Sequence, residues 1–380
     1  MNRWKPSVLA LIAVSAALVI ACESKRAPTG SDLPGDAAVG TDKYAAADPK
    51  LAKALQAAAS NSAASDNGPP PEGVFEPGVA DRRHPKNVPA KVELISAGSE
   101  PRVIVGSVTE GDAAVPDIAR AKSYGPGFVE VSLQRGRNAF PSVDLGLSIG
   151  PAKRDEGGFD WIVAEVKRTQ LSKSQPGQLP PGIEKEMATL TGTTARVHMT
   201  LDGRSGDMQS ELAKGALADL QPIAGLLGET LEIATVARPP QPVGVDAQWI
   251  AEVRTSLAGI DVMEYRAYRV KGIEGERVHL TVEIRAYVAS RDVTFPGAPK
   301  DSTVEQFEAE GQGELELVRG EILARQATIS ERALVFFRLA GEANPRGGQG
   351  GPSAGVVPVE LRGQLVFARG EDIRAVTKTL

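Results

Sequence analysis

Cysteine is nearly absent from this 380-residue chain: Cys22 is the only one. No intrachain disulfide can form, so a folded body must be held by its apolar core. Aromatic residues make up 4% of the sequence and there are three histidines, which narrows both acid–base and metal chemistry. His84, His198 and His279 have no paired Cys, His or Asp spacing around them, so no metal set is expected. Positive charge is in deficit, with 43 Lys and Arg against 48 Asp and Glu. That balance argues against nucleic-acid binding, which needs a basic footprint. Gly347-Gly348-Gln349-Gly350-Gly351 lacks the Lys-Ser/Thr pair and the following helix of a phosphate loop, so no cofactor is expected. Beyond the first 22 residues, no apolar run is long enough to span a membrane.

What is present begins at the N-terminus. Arg3 and Lys5 form a basic start, Val8 to Ile20 is predominantly apolar, and Val19-Ile20-Ala21-Cys22 places small residues before a thiol. The apolar run is too short to cross a hydrocarbon core of about 30 Å as a helix, but it suits a signal h-region. The segment resembles the lipobox of bacterial lipoproteins. The resemblance implies removal of residues 1–21, acylation of Cys22 and an envelope location. Glu23, where enteric inner-membrane lipoproteins carry aspartate, points to the outer membrane. Removal takes away Arg3 and Lys5 and moves the formal charge from −5 to −7.

Residues 22–89 read as the lipidated cysteine and a disordered tether, rich in Ala, Pro, Gly, Ser and Asp. Asp48-Pro49 followed by Leu51 and Leu55 predicts one short helix within it. From Val92 onward the pattern alternates with period two. Val143, Leu145, Leu147 and Ile149 form one series, and Val278, Leu280, Val282 and Ile284 another. Such alternation predicts antiparallel sheet with one face packed. Between the strands, Met208, Leu212, Ala216, Leu220, Ile223 and Leu227 recur at helical spacing and predict an amphipathic helix over 207–227. The expected fold is mainly β, a β-rich α+β arrangement with curved antiparallel sheet packed on that helix. Arg238-Pro239-Pro240 divides a first β-rich half, 90–240, from a second, 241–380. The halves share an outline of long strand, Pro/Gly loop and Gly-led strand, which suggests an internal duplication.

The Pro242-Val243-Gly244-Val245 lead-in to Trp249, following an apolar helix, resembles uncharacterised β-rich bacterial lipoproteins. More loosely, the element order is similar to envelope lipoproteins and lipoprotein carriers whose curved sheet wraps a helix around an apolar pocket. The resemblance carries no activity to transfer; anchor, sheet and apolar helix face together make a membrane-anchored, non-catalytic binding module for a hydrophobic ligand or an envelope protein the expected function. Met208, Leu212, Leu220 and Ile223 are the expected lining, with Trp161 and Trp249 near its ends. A structural envelope protein without a pocket is the alternative. A third reading is a serine esterase, because Gly146-Leu147-Ser148-Ile149-Gly150 fits the G-x-S-x-G elbow. The elbow requires a sharp strand-to-helix turn, whereas Ser148 lies within an alternating run and Pro151 follows. The glutamates from Glu305 to Glu321 read as a solvated strand face rather than a calcium site.

Overall fold

The computed structural model describes residues 70–105, 119–130, 137–139, 143–154, 160–171, 182–200, 203–257, 260–293, 302–338 and 356–369. Cys22, the segment 1–69 and the loop 344–355 lie outside them. The protein is mainly β. One antiparallel sheet of 13 strands contains strands from both expected halves. Its order is β1 (Lys91–Ser96), β8 (Gln248–Leu257), β9 (Ile260–Glu274), β10 (Arg277–Val293), β11 (Thr303–Val318), β12 (Gln326–Arg338) and β13 (Val356–Arg369). It continues with β2 (Ala119–Glu130), β4 (Val143–Arg154), β5 (Asp160–Leu171), β6 (Thr194–Met199) and β7 (Ser205–Glu211). β3 (Arg137–Ala139) pairs with β2 to the side of this path.

Three α-helices are present among the described residues: α1 (Val79–Arg83), α2 (Ile183–Ala188) and α3 (Gln221–Thr235). The predicted helix over 207–227 is therefore corrected. Ser205–Glu211 is an edge strand hairpinned onto β6, with Val197 opposite Met208. Gly215, at φ 91°, breaks the chain direction, and the helix starts at Gln221. Pro222 sits in its first turn, where the missing N–H has no helical partner to lose, so it initiates the helix rather than kinking it.

α3 touches β6, β7, β8, β13 and β2, strands from both ends and the middle of the sheet, so the sheet curls around it. Its apolar face, with Ile223, Leu227 and Leu231, joins Leu145, Leu147, Leu280, Val282 and Phe367 in the main core. The curl is not closed. Where β7 comes back toward β1 and β8, one backbone hydrogen bond spans the gap, from Ala90 N to Ser205 O at 2.9 Å.

Residues 70–89, expected in the tether, are part of the body. Val74 forms a parallel bridge with Val288, and Phe75 N donates to Val288 O at 2.9 Å. Gly73, at φ 70°, is required there, because a Cβ would lie 1.8 Å from Phe307 O. Successive residues point to opposite sides of the sheet: Val74 packs with Val262, Val288 and Phe337 inside, Phe75 with Tyr265 and Ile250 outside. α1 then lies on the convex face. There His84 is fully buried, with Nδ1 3.3 Å from Glu252 Oε1 and Nε2 2.9 Å from Val88 O.

Arg238, following α3, is another buried tie. Its guanidinium donates to the carbonyls of Val105, Glu321 and Ile322 at 3.1, 2.8 and 2.7 Å. These bonds fasten the helix exit to the β11–β12 turn. Arg238→Ala leaves three carbonyls without this donor and is expected to lower unfolding free energy by about 3 kcal/mol. Urea unfolding would measure this; a loss within experimental scatter would show that water replaces the guanidinium.

Candidate functional site

The open seam forms a cleft of about 280 Å³. β1 begins only at Lys91, opposite Glu252, so the last part of β8 has no paired strand on that side. Thr255 and Ser256 from β8, Asp261 from β9, and Ser205 to Met208 from β7 line the gap. Lys86, Asn87 and Arg254 border it, and Pro89 packs against Gly206.

Glu232 of α3 forms the floor and ties the two sides together. Its Oε1 accepts from Ser205 Oγ of β7 at 3.2 Å, and its Oε2 accepts from Thr255 Oγ1 of β8 at 2.6 Å. Arg266 of β9 donates to Glu232 Oε1 at 3.2 Å and, through Nε, to Glu264 Oε2 at 2.8 Å. Glu232, Glu264 and Arg266 are all buried. A third carboxyl, Glu331 of β12, approaches from across the sheet. In the row Arg266, Ile284, Gly311, Glu331, paired residues share the concave face. Gly311 leaves room there: a Cβ on it would lie 2.8 Å from Glu331 Cγ. This charged belt separates the core around α3 from a second inner cluster built on Val262, Val288, Phe307 and Phe337.

Burial sets the protonation of the belt. It raises Glu331 to about 8, with the charge on Glu264 adding to the effect against the pull of Arg266. It also raises Glu264, which Arg266 only partly offsets. Burial alone would lower Arg266, but Glu264 and Glu232 outweigh it and hold the guanidinium charged. Tyr268 is pushed up to about 12, chiefly by burial. The shift favours the protonated form of Glu331 at neutral pH.

At the rim the signs reverse. Burial would raise Asp261, but Arg254 at 2.6 Å and Lys86 at 2.9 Å hold it below the usual carboxylate range. Glu252, on the convex face, is likewise held low despite burial, by His84 and Lys91.

Of the expected lining residues, Met208 lies in the cleft, on a strand, with its sulfur over Gly228 of α3. Leu212 follows β7 and is partly buried against the core. Leu220 and Ile223 are core residues at the start of α3. Trp249 is fully buried, stacked on Tyr268 at 5.3 Å, with its indole N–H donated to Ala237 O at 2.9 Å. Trp161 pairs with His198 between β5 and β6, and its side chain lies outside the described part of the chain. Ser148 lies in mid-strand in β4, opposite Glu165, in extended backbone rather than at a turn.

The glutamates of β11 occupy its outer face: Glu308, Glu310 and Glu314 are exposed, and Arg285 pairs with Glu310 at 2.8 Å. Among the described residues, no three His, Cys, Asp or Glu side chains are grouped to hold a metal ion, and no helix is long and apolar enough to cross a membrane.

Sequence reasoning missed Glu232, Glu264, Arg266 and Glu331. Their one visible signal was a Glu and an Arg two residues apart, on the same phase as Val262, Tyr268 and Val270 of β9. No protein-family model matches the chain, and no curated protein matches it.

Proposed function

We propose that the protein is a lipid-anchored, non-catalytic binding module of the bacterial envelope, tethered to the outer membrane through Cys22, whose ligand or partner is taken at the seam cleft. The observation that carries this reading is the open seam, a gap that is floored by Glu232 and flanked by hydroxyls and the Met208 thioether. A curled sheet left open beside polar groups and one soft apolar side chain suits a small amphipathic ligand or an inserted side chain of an envelope protein. The anchor rests on the signal segment and its cysteine. Several acyl chains on one residue hold a protein far more firmly than one, since each buried CH₂ contributes about 0.8 kcal/mol.

Native mass spectrometry of full-length protein extracted from membranes in mild detergent tests both parts. The expected result is a mature chain starting at an acylated Cys22 and carrying a non-covalent adduct that Met208→Arg removes. A chain that keeps residues 1–21 would remove the anchor. An adduct indifferent to Met208→Arg, or none at all, would remove the cleft.

A second reading has its own support. The interior around α3 is filled by Leu220, Ile223, Leu227 and Leu231, as a structural envelope protein without an internal pocket requires. Under that reading no adduct appears, and cross-linking captures envelope proteins on the outer face of the sheet instead.

A further inference from the structure

The belt contains more carboxyls than cations. Glu232 and Glu264 share one guanidinium, that of Arg266, and Glu331 lies within its field but outside its ion pairs, with Oε1 enclosed and without a hydrogen-bond partner. The other side chains in the Glu331 row bring no charge: β10 contributes Ile284, β11 contributes Gly311, and β13 contributes Gly363. The groups that Glu331 answers to are therefore Arg266 and Glu264 from β9 and Glu232 from α3, with Tyr268 beside them. Glu232 is also the clasp that joins β7 to β8 across the seam.

We propose that Glu331 is a proton-operated latch on the seam, holding it shut while protonated and slackening it when ionised. With its proton on, Glu331 makes no claim on Arg266, which stays on Glu232 and Glu264. Ionisation of this half-buried carboxyl adds a third negative charge to the belt and draws the guanidinium toward β12. Glu232 then loses its cation. An uncompensated carboxylate in that position moves toward water, which lies on the cleft side, and its bonds to Ser205 and Thr255 are released. The cleft widens as pH rises through the titration of Glu331. As regulation of ligand access, the latch rests on the cleft reading above; as a motion of the seam, it can be followed without ligand.

Hydrogen exchange of the full-length protein, corrected for intrinsic rates and compared at about pH 6 and about pH 9, follows the latch directly. In the unaltered protein, peptides covering 203–212 and 250–257 are expected to lose about tenfold in protection at the higher pH, while β10 keeps its own. Glu331→Gln, which copies the protonated carboxyl, should abolish that loss. Ser205→Ala, which breaks the β7 side of the clasp and leaves Glu264, Arg266 and Glu331 unchanged, should show the high-pH pattern at both pH values. An equal pH response in unaltered and Glu331→Gln protein overturns the latch. Should Glu331→Gln not fold, a pH-independent seam in the unaltered protein, or no effect of Ser205→Ala at the lower pH, overturns it equally. Any of these results leaves the mass-spectrometric test of the cleft untouched, and an adduct-free protein leaves the latch untouched.

Discussion

Replacing Arg266 with methionine is expected to lower the unfolding free energy by about 4 kcal/mol at neutral pH. Methionine keeps most of the stem and its packing, so the loss isolates the charge. Without Arg266, Glu232 and Glu264 are two buried carboxyls that must either ionise without a cation or take up protons, and both outcomes are unfavourable relative to the unfolded chain. Urea unfolding with an unchanged slope would measure the effect. Arg266→Met combined with Glu264→Gln should recover a large part of it, because the amide needs no counter-charge. A loss below about 1 kcal/mol would show that water reaches the belt and screens it.

The second large effect is a stability maximum in mildly acidic solution. Glu331 loses its proton near 4.5, the ordinary glutamate value, when unfolded but keeps it to about 8 when folded. Between those limits the folded state binds the extra proton, so stability falls as pH rises, by roughly 3 kcal/mol from pH 4.5 to neutrality. On the acid side the sign is opposite. Glu252 and Asp261 are held below their ordinary values, so their contribution is present above about pH 4.5 and is lost as pH falls through the depressed titrations. Calorimetric melting temperature against pH should peak near about pH 5. Glu331→Gln should flatten only the alkaline limb and Glu252→Gln only the acid one. A profile that rises from pH 5 to 8 would mean that Glu331 is ionised in the folded protein.

The long strands were legible because alternation reflects burial directly. β10 follows Val278, Leu280, Val282 and Ile284 inward and His279, Thr281 and Glu283 outward. The helix was displaced because Met208, Leu212, Ala216 and Leu220 happen to stand four residues apart. β7 is a short edge strand without clean alternation, so nothing local opposed that spacing, and only Gly215 and Pro222 marked the true start. The belt was hidden for a different reason. In β9 the residues Met263, Tyr265 and Ala267 are apolar and Glu264 and Arg266 are charged, which alone reads as a strand with one wet face. In the fold both faces are covered, the outer one by Phe75 and α1 and the inner one by α3. Long-range cover of this kind leaves no trace in spacing. The same cover explains why residues 70–89 look like linker: their few apolar side chains, Val74, Phe75 and Ala80, are ordered by a sheet that comes later in the chain.

The slot that admits residues 73–75 between β10 and β11 also governs how the body responds to its leader. Were the chain anchored as proposed, tension on it would meet the Val74–Val288 bridge first, then the α1 dock, then the His84–Glu252 contact. Only after these three had yielded would it reach Pro89 and Ala90, at the open seam. The lead segment would thus act as a series of mechanical fuses, along which tension dissipates before the open seam is disturbed.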